Sequence, residues 1–197
     1  MKNYSNLSKL SHICQFYLTL CIFSFFIISI SSCSGPKTEE DLAKEVMETF
    51  KNDDHHSFKN LYVKKMDIEA LINESSIPDD MKNNVRKDLK AKTTFYRIIS
   101  KLEFNSTRYR AYEEGVNWQN VEIVKVKSTV SNSLAFFNFG AKLMEESNIE
   151  VKDIDIIFVS DSDTFNMHLD NCIKTKSRGW CLSEEVKISR KNFYSDY

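Results

Sequence analysis

The sequence is poor in the residues that interrupt regular structure, and it has no excess of charge of either sign. Its 197 residues include only four Gly and two Pro, which argues against a collagen-like chain, a Pro-rich linker or a flexible Gly-rich tether. The formal net charge is −1 at pH 7, so the basic surface typical of nucleic-acid binding is not expected. We therefore predict a compact globular chain with no nucleic-acid partner.

Recognisable catalytic and cofactor motifs are also missing. The sequence has no nucleophile elbow, no phosphate-binding loop and no Cys/His spacing of the zinc-site type. We expect neither a metal nor a cofactor. The lack of motifs weakens the case for an enzyme but leaves the question undecided.

Acidic residues are absent from the amino-terminal segment, which has the organisation of a secretion signal. Residues 1–12 carry Lys2 and Lys9, and residues 13–30 are nearly all apolar. A positively charged region followed by an apolar region is typical of a signal peptide. The alternative is an uncleaved membrane anchor, because an apolar run of this length is close to what a bilayer span requires.

The segment Ile30-Ser31-Ser32-Cys33 resembles the lipobox of bacterial lipoproteins. The resemblance implies that a diacylglycerol alkylates the thiol of Cys33, that a peptidase cuts before it, and that the new amine is acylated, for example by palmitate. Residues 1–32 are then the signal peptide and residues 33–37 a lipidated tether. Two or three acyl chains anchor a protein firmly to a membrane, so no transmembrane helix is needed.

The residue after Cys33 is Ser34 rather than Asp. By the same resemblance, this implies transfer to the outer membrane, on either its periplasmic side or its surface. The acids that follow Lys37 loosely resemble surface-export signals of some lipoproteins. Helix capping explains the same acids, and we favour it.

Residues 38–197 are expected to form a single α+β domain that begins with helices. Thr38 and Asp41 have the spacing of a capping box before a helix over 39–52. Asp53 and Asp54 predict the start of a short second helix, and a third is expected around Ile68 to Ile72. The longest helix opens near Pro78 and ends before Gly115. Its expected buried stripe is Met81, Val85, Leu89, Phe95, Ile99 and Leu102.

Alternating apolar residues take over in the second half and predict strands. The predicted strands are Val121–Val126, Val151–Val159, Phe165–Ile173 and Trp180–Ile188. Helices followed by strands predict an α+β fold in which N-terminal helices pack on a C-terminal antiparallel sheet, which we expect to be curved. The segment Leu134 to Glu146 fits either a strand or a helix.

The segment METFKNDDHHSFKNLY, followed by helices and a sheet, resembles the cone-shaped folds of nuclear transport factor two and SnoaL-like proteins. The segments EEGVNWQNVEI and NMHLDNCIKTKSRGWCL are similar to parts of small uncharacterised lipoproteins of Gram-negative bacteria. In the cone folds the sheet wraps over the long helix around a pocket that different members use differently. The fold alone does not define a function.

Three polar clusters are candidates for chemistry, and each also has a structural explanation. His55 and His56 follow two acids, but adjacent histidines on a helix diverge by about 100°, so we interpret them as solvated cap residues. Residues 161–163 resemble part of a calcium loop but lack its glycine and distal glutamate, so we interpret them as a turn.

The third cluster lies on the predicted strands. Asp153 and Asp155 share one strand face, and His168 shares a face with Asn166 and Asp170. Such groups could transfer protons in a hydrolytic reaction. A solvated sheet face also requires polar residues, so His168, Asp170 and Asp153 are weak catalytic candidates.

Cysteine counting leaves two thiols in the mature chain, Cys172 and Cys181. In an oxidising compartment two thiols predict one disulfide. An even-length turn centred on Lys176 and Ser177 would place Cys172 opposite Cys181 and Ile173 opposite Trp180. The alternative is a pair of reduced thiols.

The preferred hypothesis is a non-catalytic accessory or binding lipoprotein of the outer membrane, which contacts another envelope protein or a small apolar ligand. The alternative is a small hydrolase or isomerase that uses a pocket of the cone fold. The two differ in whether His168, Asp170 or Asp153 converge in a deep pocket.

Overall fold

The computed structural model describes residues 35–131 and 149–190. Within these ranges four α-helices precede five β-strands, so the α+β fold is confirmed. The helices are α1 (Glu39–Lys51), α2 (His55–Leu61), α3 (Lys65–Glu74) and α4 (Asp79–Glu113). A 3₁₀ turn (Trp118–Asn120) leads into β1 (Val121–Val130), β2 (Val151–Ser160), β3 (Asp163–Thr175), β4 (Gly179–Cys181) and β5 (Val186–Arg190).

The strands form one open antiparallel sheet. Its order is β1-β2-β3-β4, and β5 pairs with the first half of β3. Asp161 and Ser162 form the turn between β2 and β3, as predicted, and Asp161 has a positive φ of 54°. The predicted strand Trp180–Ile188 is divided into β4 and β5, which pair with different parts of β3.

The predicted helix starts are confirmed. The Thr38 hydroxyl accepts a hydrogen bond from the backbone N–H of Asp41, and the Asp41 carboxylate accepts one from the N–H of Thr38. Asp54 caps α2 in the same way through the N–H of Ser57. These bonds satisfy donors that the first helical turn leaves without partners.

The long helix α4 buries a different face from the one predicted. Leu89 is buried, Ile99 is half-buried, and Phe95 and Leu102 are 56% and 72% exposed, so the predicted stripe was wrong in the second half of the helix. After Leu89, the buried positions of the helix are Thr93, Ser100, Phe104, Thr107 and Ala111.

Small polar residues can occupy that face because the backbone satisfies their hydroxyls. Thr93 donates to the carbonyl of Leu89 at 2.7 Å, and Thr107 donates to the carbonyl of Val186 on β5 at 3.1 Å. A buried hydroxyl with a hydrogen-bond partner avoids most of the cost of leaving water. Hydrophobicity alone was therefore a poor guide to the buried face.

The buried apolar residues in the described part of the chain form two hydrophobic clusters. The larger joins α1, α2 and the second half of α4 to the core face of the sheet, and its largest fully buried side chains are Phe50, Phe58, Tyr62, Phe104, Phe158, Phe165 and Trp180. The second joins α3 and the first half of α4 to Val151, Ile173 and Cys181. Both clusters are filled by large side chains with little or no exposure.

A β-bulge in β3 changes which side chains face each cluster. Lys152 pairs with Cys172, whereas Ile154 pairs with Leu169, so β3 contains one extra residue in this interval. Asn171 has a positive φ of 50° there, a conformation that Asn tolerates better than most residues. The extra residue brings Cys172 into the same cluster as Leu169.

The hairpin between β3 and β4 also differs from the prediction. Its loop has three residues, 176–178, and Thr175 pairs with Gly179. Gly179 has a positive φ of 69°, and a Cβ there would lie 1.9 Å from the carbonyl oxygen of Pro36. A three-residue loop closed by a left-handed glycine is a common hairpin geometry.

The three-residue loop changes the pairing on which the predicted disulfide depended. Ile173, not Cys172, pairs with Cys181, so the predicted register was wrong by one residue. Cys172 and Cys181 are buried free thiols that belong to different clusters. A shift of one residue moves side chains to the opposite face of a sheet, so the two sulfurs are not placed for bonding.

The signal peptide, Cys33 and the ambiguous segment Leu134 to Glu146 lie outside the described residues. Among the residues that are described, no helix combines the length and the hydrophobicity required to cross a bilayer.

Candidate functional site

The polar strand residues selected from the sequence come together on the sheet face opposite the larger cluster. His168 pairs across the strands with Asp155 on one side and with Lys187 on the other. Because side chains alternate along a strand, the flanking residues Met167 and Leu169 point into the core while His168 points away from it. The predicted alternation of faces is confirmed here.

His168 is held between two carboxylates. Its Nδ1 lies 2.9 Å from Oδ1 of Asp155, and its Nε2 lies 3.0 Å from Oδ1 of Asp170. Asn166 donates a second hydrogen bond to Asp155, at 2.9 Å. Only a protonated imidazole donates from both ring nitrogens, so the geometry favours the imidazolium form.

The pKa directions agree with this geometry. Burial by itself would lower the pKa of His168, but the hydrogen bond and charge of Asp155, together with the charge of Asp170, raise it above its ordinary value of 6.5. Burial likewise opposes ionisation of Asp155, whereas hydrogen bonds from Asn166 and His168 lower the pKa of that carboxyl. The hydrogen bonds and the two neighbouring carboxylates therefore favour the charged forms of both His168 and Asp155.

Asp153 and Asp170 extend this network. Asp153 accepts a hydrogen bond of 2.9 Å from the backbone N–H of Asn171 in the bulge. Asp170 accepts one of 2.6 Å from the ammonium group of Lys187. One ligand atom from each of Asp153, His168 and Asp170 lies within 4.8 Å of the others. A cation there would compete with Lys187 and would require His168 to lose a carboxylate partner.

The network lies on a partly solvated sheet face. The side chains of His168, Asp155 and Asp170 are 31%, 33% and 22% exposed. A groove with a volume of about 580 Å³ lies between α3 and the β3–β4 loop. Its lining includes Asp67, Glu74, Lys174 and Lys176 but none of the network residues.

The histidine pair near α2 does not form a site. His55 is the first residue of α2, its Nε2 lies 3.3 Å from the hydroxyl of Ser100, and its ring lies 6.0 Å from that of Phe104. His56 is exposed. The two side chains diverge, as expected for neighbours on a helix.

A second polar site was missed from the sequence. The carboxylate of Glu103 on α4 accepts hydrogen bonds of 2.5 Å from the Tyr62 hydroxyl and from the backbone N–H of Val186. Removal from water raises the pKa of Glu103 to about 7, despite these two hydrogen bonds. Glu103 precedes a core phenylalanine in a helical pattern, and nothing in the sequence distinguishes it from a solvated glutamate.

Comparisons with protein-family models and with curated protein sequences give no match. A cystatin-like protein from Ruminococcus gnavus ATCC 29149 is similar in structure, with a TM-score of 0.41 and 11% sequence identity. The match covers 78% of this chain and 44% of that one, so the chain spans less than half the length of this neighbour.

Proposed function

We propose that the protein is an outer-membrane lipoprotein whose α+β domain is a non-catalytic accessory or binding module. The observation that carries the proposal is the saturation of His168. Both of its ring nitrogens are engaged by carboxylates, and neither is left to accept a proton from a substrate.

The lipobox-like segment ending at Cys33 supports a lipid anchor, because the thiol of that cysteine is the acyl acceptor in such proteins. We expect the full chain to incorporate a labelled fatty acid when it is expressed in a Gram-negative host. Replacing Cys33→Ala should abolish the label and leave unprocessed precursor, whereas Cys21→Ala should retain both labelling and cleavage. A wild-type envelope protein with residue 1 intact would contradict the anchor.

The accessory role is tested by affinity capture of the full chain from its native envelope after cross-linking. A reproducible envelope protein, captured by the wild type but not by Cys33→Ala, would support a tethered module. If the same set of proteins is captured by both forms, tethering has no part in recognition.

The alternative, a small hydrolase or isomerase, is supported by the approach of Asp153, His168 and Asp170 to within 4.8 Å. The purified full chain can be assayed with simple esters and amides beside His168→Gln, which preserves volume and polarity. Turnover that is present in the wild type and lost in the variant would replace the accessory role by an enzymatic one.

A further inference from the structure

The second half of α4 has large apolar side chains on its outer face as well as on its core face. We name the outer set the α4 apolar row, and it consists of Phe95, Ile98, Leu102, Tyr109 and Tyr112. These side chains are between 56% and 78% exposed. The core face of the same turns is formed by other residues, among them Phe104 and Ala111. This part of the helix is therefore apolar on two opposite faces.

The α4 apolar row has the spacing of a coiled-coil seam. If the exposed Asn105 is counted as a member, the spacing between successive positions from Phe95 to Tyr112 alternates between three and four residues. This heptad alternation keeps one narrow stripe on the surface of a helix and fits a second helix with the same alternation. Because a seam of this kind is self-complementary, a second copy of this chain fits it.

The area of the row is close to what self-association requires. Large side chains exposed to this extent present on the order of 100 Å² each, so the row offers about 500 Å² per copy. The largest apolar patch on a typical monomeric protein is about 300 to 600 Å², and a patch of this size is often functional. Two such rows with their flanking residues approach the ~1,200 Å² of a stable interface.

We propose that two copies of the protein associate through the α4 apolar row as a parallel, in-register pair of helices. The position of Asn105 favours this orientation. In a parallel pair the two Asn105 side chains face each other, and their amides can exchange hydrogen bonds, as polar seam residues do in parallel dimers. In an antiparallel pair centred on the row, each Asn105 would oppose Leu102 and bury an unsatisfied amide.

The flanking charges favour the same orientation. If Phe95, Leu102 and Tyr109 occupy the first heptad position, Lys101 and Arg108 flank the seam on one side and Glu113 on the other. A parallel pair brings Arg108 of one copy beside Glu113 of the second, five residues further on. An antiparallel pair would instead bring Lys101 beside Arg108, which is a like-charge contact. Arg108 also pairs with Asp53 in its own chain, which fixes the guanidinium near this edge.

The test is oxidative cross-linking of Asn105→Cys in the full chain, in membranes of the expressing cells. A parallel pair places position 105 opposite itself and should give a disulfide-linked species of twice the chain's mass. The matched control is Arg110→Cys, which is exposed on the same helix but points away from the row and should stay monomeric. The native thiols Cys172 and Cys181 are buried and should not contribute. The Arg110→Cys chain also contains the same Cys14, Cys21 and Cys33, so cross-linking through these cysteines would appear in the control as well.

Leu102→Asp in the Asn105→Cys chain should eliminate the cross-linked species, because a charge in the seam must be desolvated on association. Leu102 is 72% exposed, so unchanged circular dichroism would show that the domain still folds. Absence of the Asn105→Cys dimer, or an equal yield from Arg110→Cys, would overturn the proposal. Neither result depends on the accessory function, because the readout is oligomeric state alone.

Discussion

The hydroxyl of Tyr62 lies 2.5 Å from the carboxylate of Glu103, and this contact joins the end of α2 to the middle of α4. The other carboxylate oxygen of Glu103 accepts a hydrogen bond from the backbone N–H of Val186, where β5 begins. Tyr62 also donates, at 3.3 Å, towards the carbonyl of Glu184. One half-buried carboxyl group thus connects two helices and the strand that completes the sheet.

Glu103 should make the domain less stable as the pH rises. Burial raises its pKa to about 7 in the folded chain from 4.5, so the folded state binds more protons than the unfolded state between these values. The free energy of unfolding should then fall by roughly 3 kcal/mol as the pH rises through this interval. The measurement is urea unfolding of the wild type and Glu103→Gln at several pH values.

Glu103→Gln is a suitable variant because both hydrogen bonds can be kept. Its amide oxygen can still accept a hydrogen bond from the N–H of Val186, and its amide nitrogen can donate one to the Tyr62 hydroxyl. The difference between the two stability curves should be largest above pH 7 and should favour the variant. Parallel curves would show that Glu103 is solvated and titrates normally.

His168 should contribute stability that is also lost at high pH. Asp155 and Asp170 raise its pKa above 6.5, so the contribution of the imidazolium is complete below pH 6.5 and disappears as the pH rises through the raised value. The expected size is ~0.2 to 1 kcal/mol, because the network is partly solvated. Unfolding of His168→Gln measured at pH 5.5 and pH 8.5 tests this.

The His168→Gln variant should be less stable than the wild type at pH 5.5 and nearly equal to it at pH 8.5. Asp170 retains Lys187 as a partner in the variant, which limits secondary losses. A deficit of the same size at both pH values would mean that His168 contributes by packing and not by charge.

Two phenylalanines on α4 should differ strongly in their contribution to stability. Phe104 is 1% exposed and stacks on Phe50 with ring centroids 4.8 Å apart, whereas Phe95 is 56% exposed. Phe104→Ala should lower the free energy of unfolding by ~3 to 5 kcal/mol, because the substitution leaves a cavity in the core. Phe95→Ala should cost less than about 1 kcal/mol when measured at concentrations at which the chain is monomeric. Similar melting temperatures for the two variants would contradict the orientation of α4.

The two thiols of the domain should be free but slow to react. Burial raises the pKa of the Cys172 thiol well above its usual value and raises that of Cys181 as well, and the thiolate is the reactive form. A thiol reagent should label neither in the folded chain and both in urea without a reductant. If labelling in urea also requires a reductant, the cysteines form a disulfide and the β3–β4 register differs from that described.

Much of the architecture followed from local patterns. The capping box at Thr38, the cap at Asp54, the turn at Asp161 and the alternation of polar and apolar residues around His168 all depend on contacts within a few residues or on simple strand periodicity. These signals do not require knowledge of distant partners. The helix-then-strand order and the α+β class were predictable for the same reason.

The buried face of α4 and the position of the cysteines were not predictable in this way. A bulge at Asn171 and a three-residue loop before Gly179 each change the register by one residue, and such a change leaves composition and periodicity almost unaltered. Sequence spacing therefore supported a disulfide that the register excludes.

The sequence by itself determined the helices, the order of helices before strands, and the polar face that carries His168. Tertiary structure decided which face of α4 is buried, because the Thr107 hydroxyl finds its acceptor, the carbonyl of Val186, only when the fold brings β5 within reach. Tertiary structure also decided that Glu103 is removed from water, because the fold packs Tyr62 and the start of β5 against its carboxylate. Both outcomes depend on partners far apart in the chain, and the free energy of burying a polar group is set by those partners.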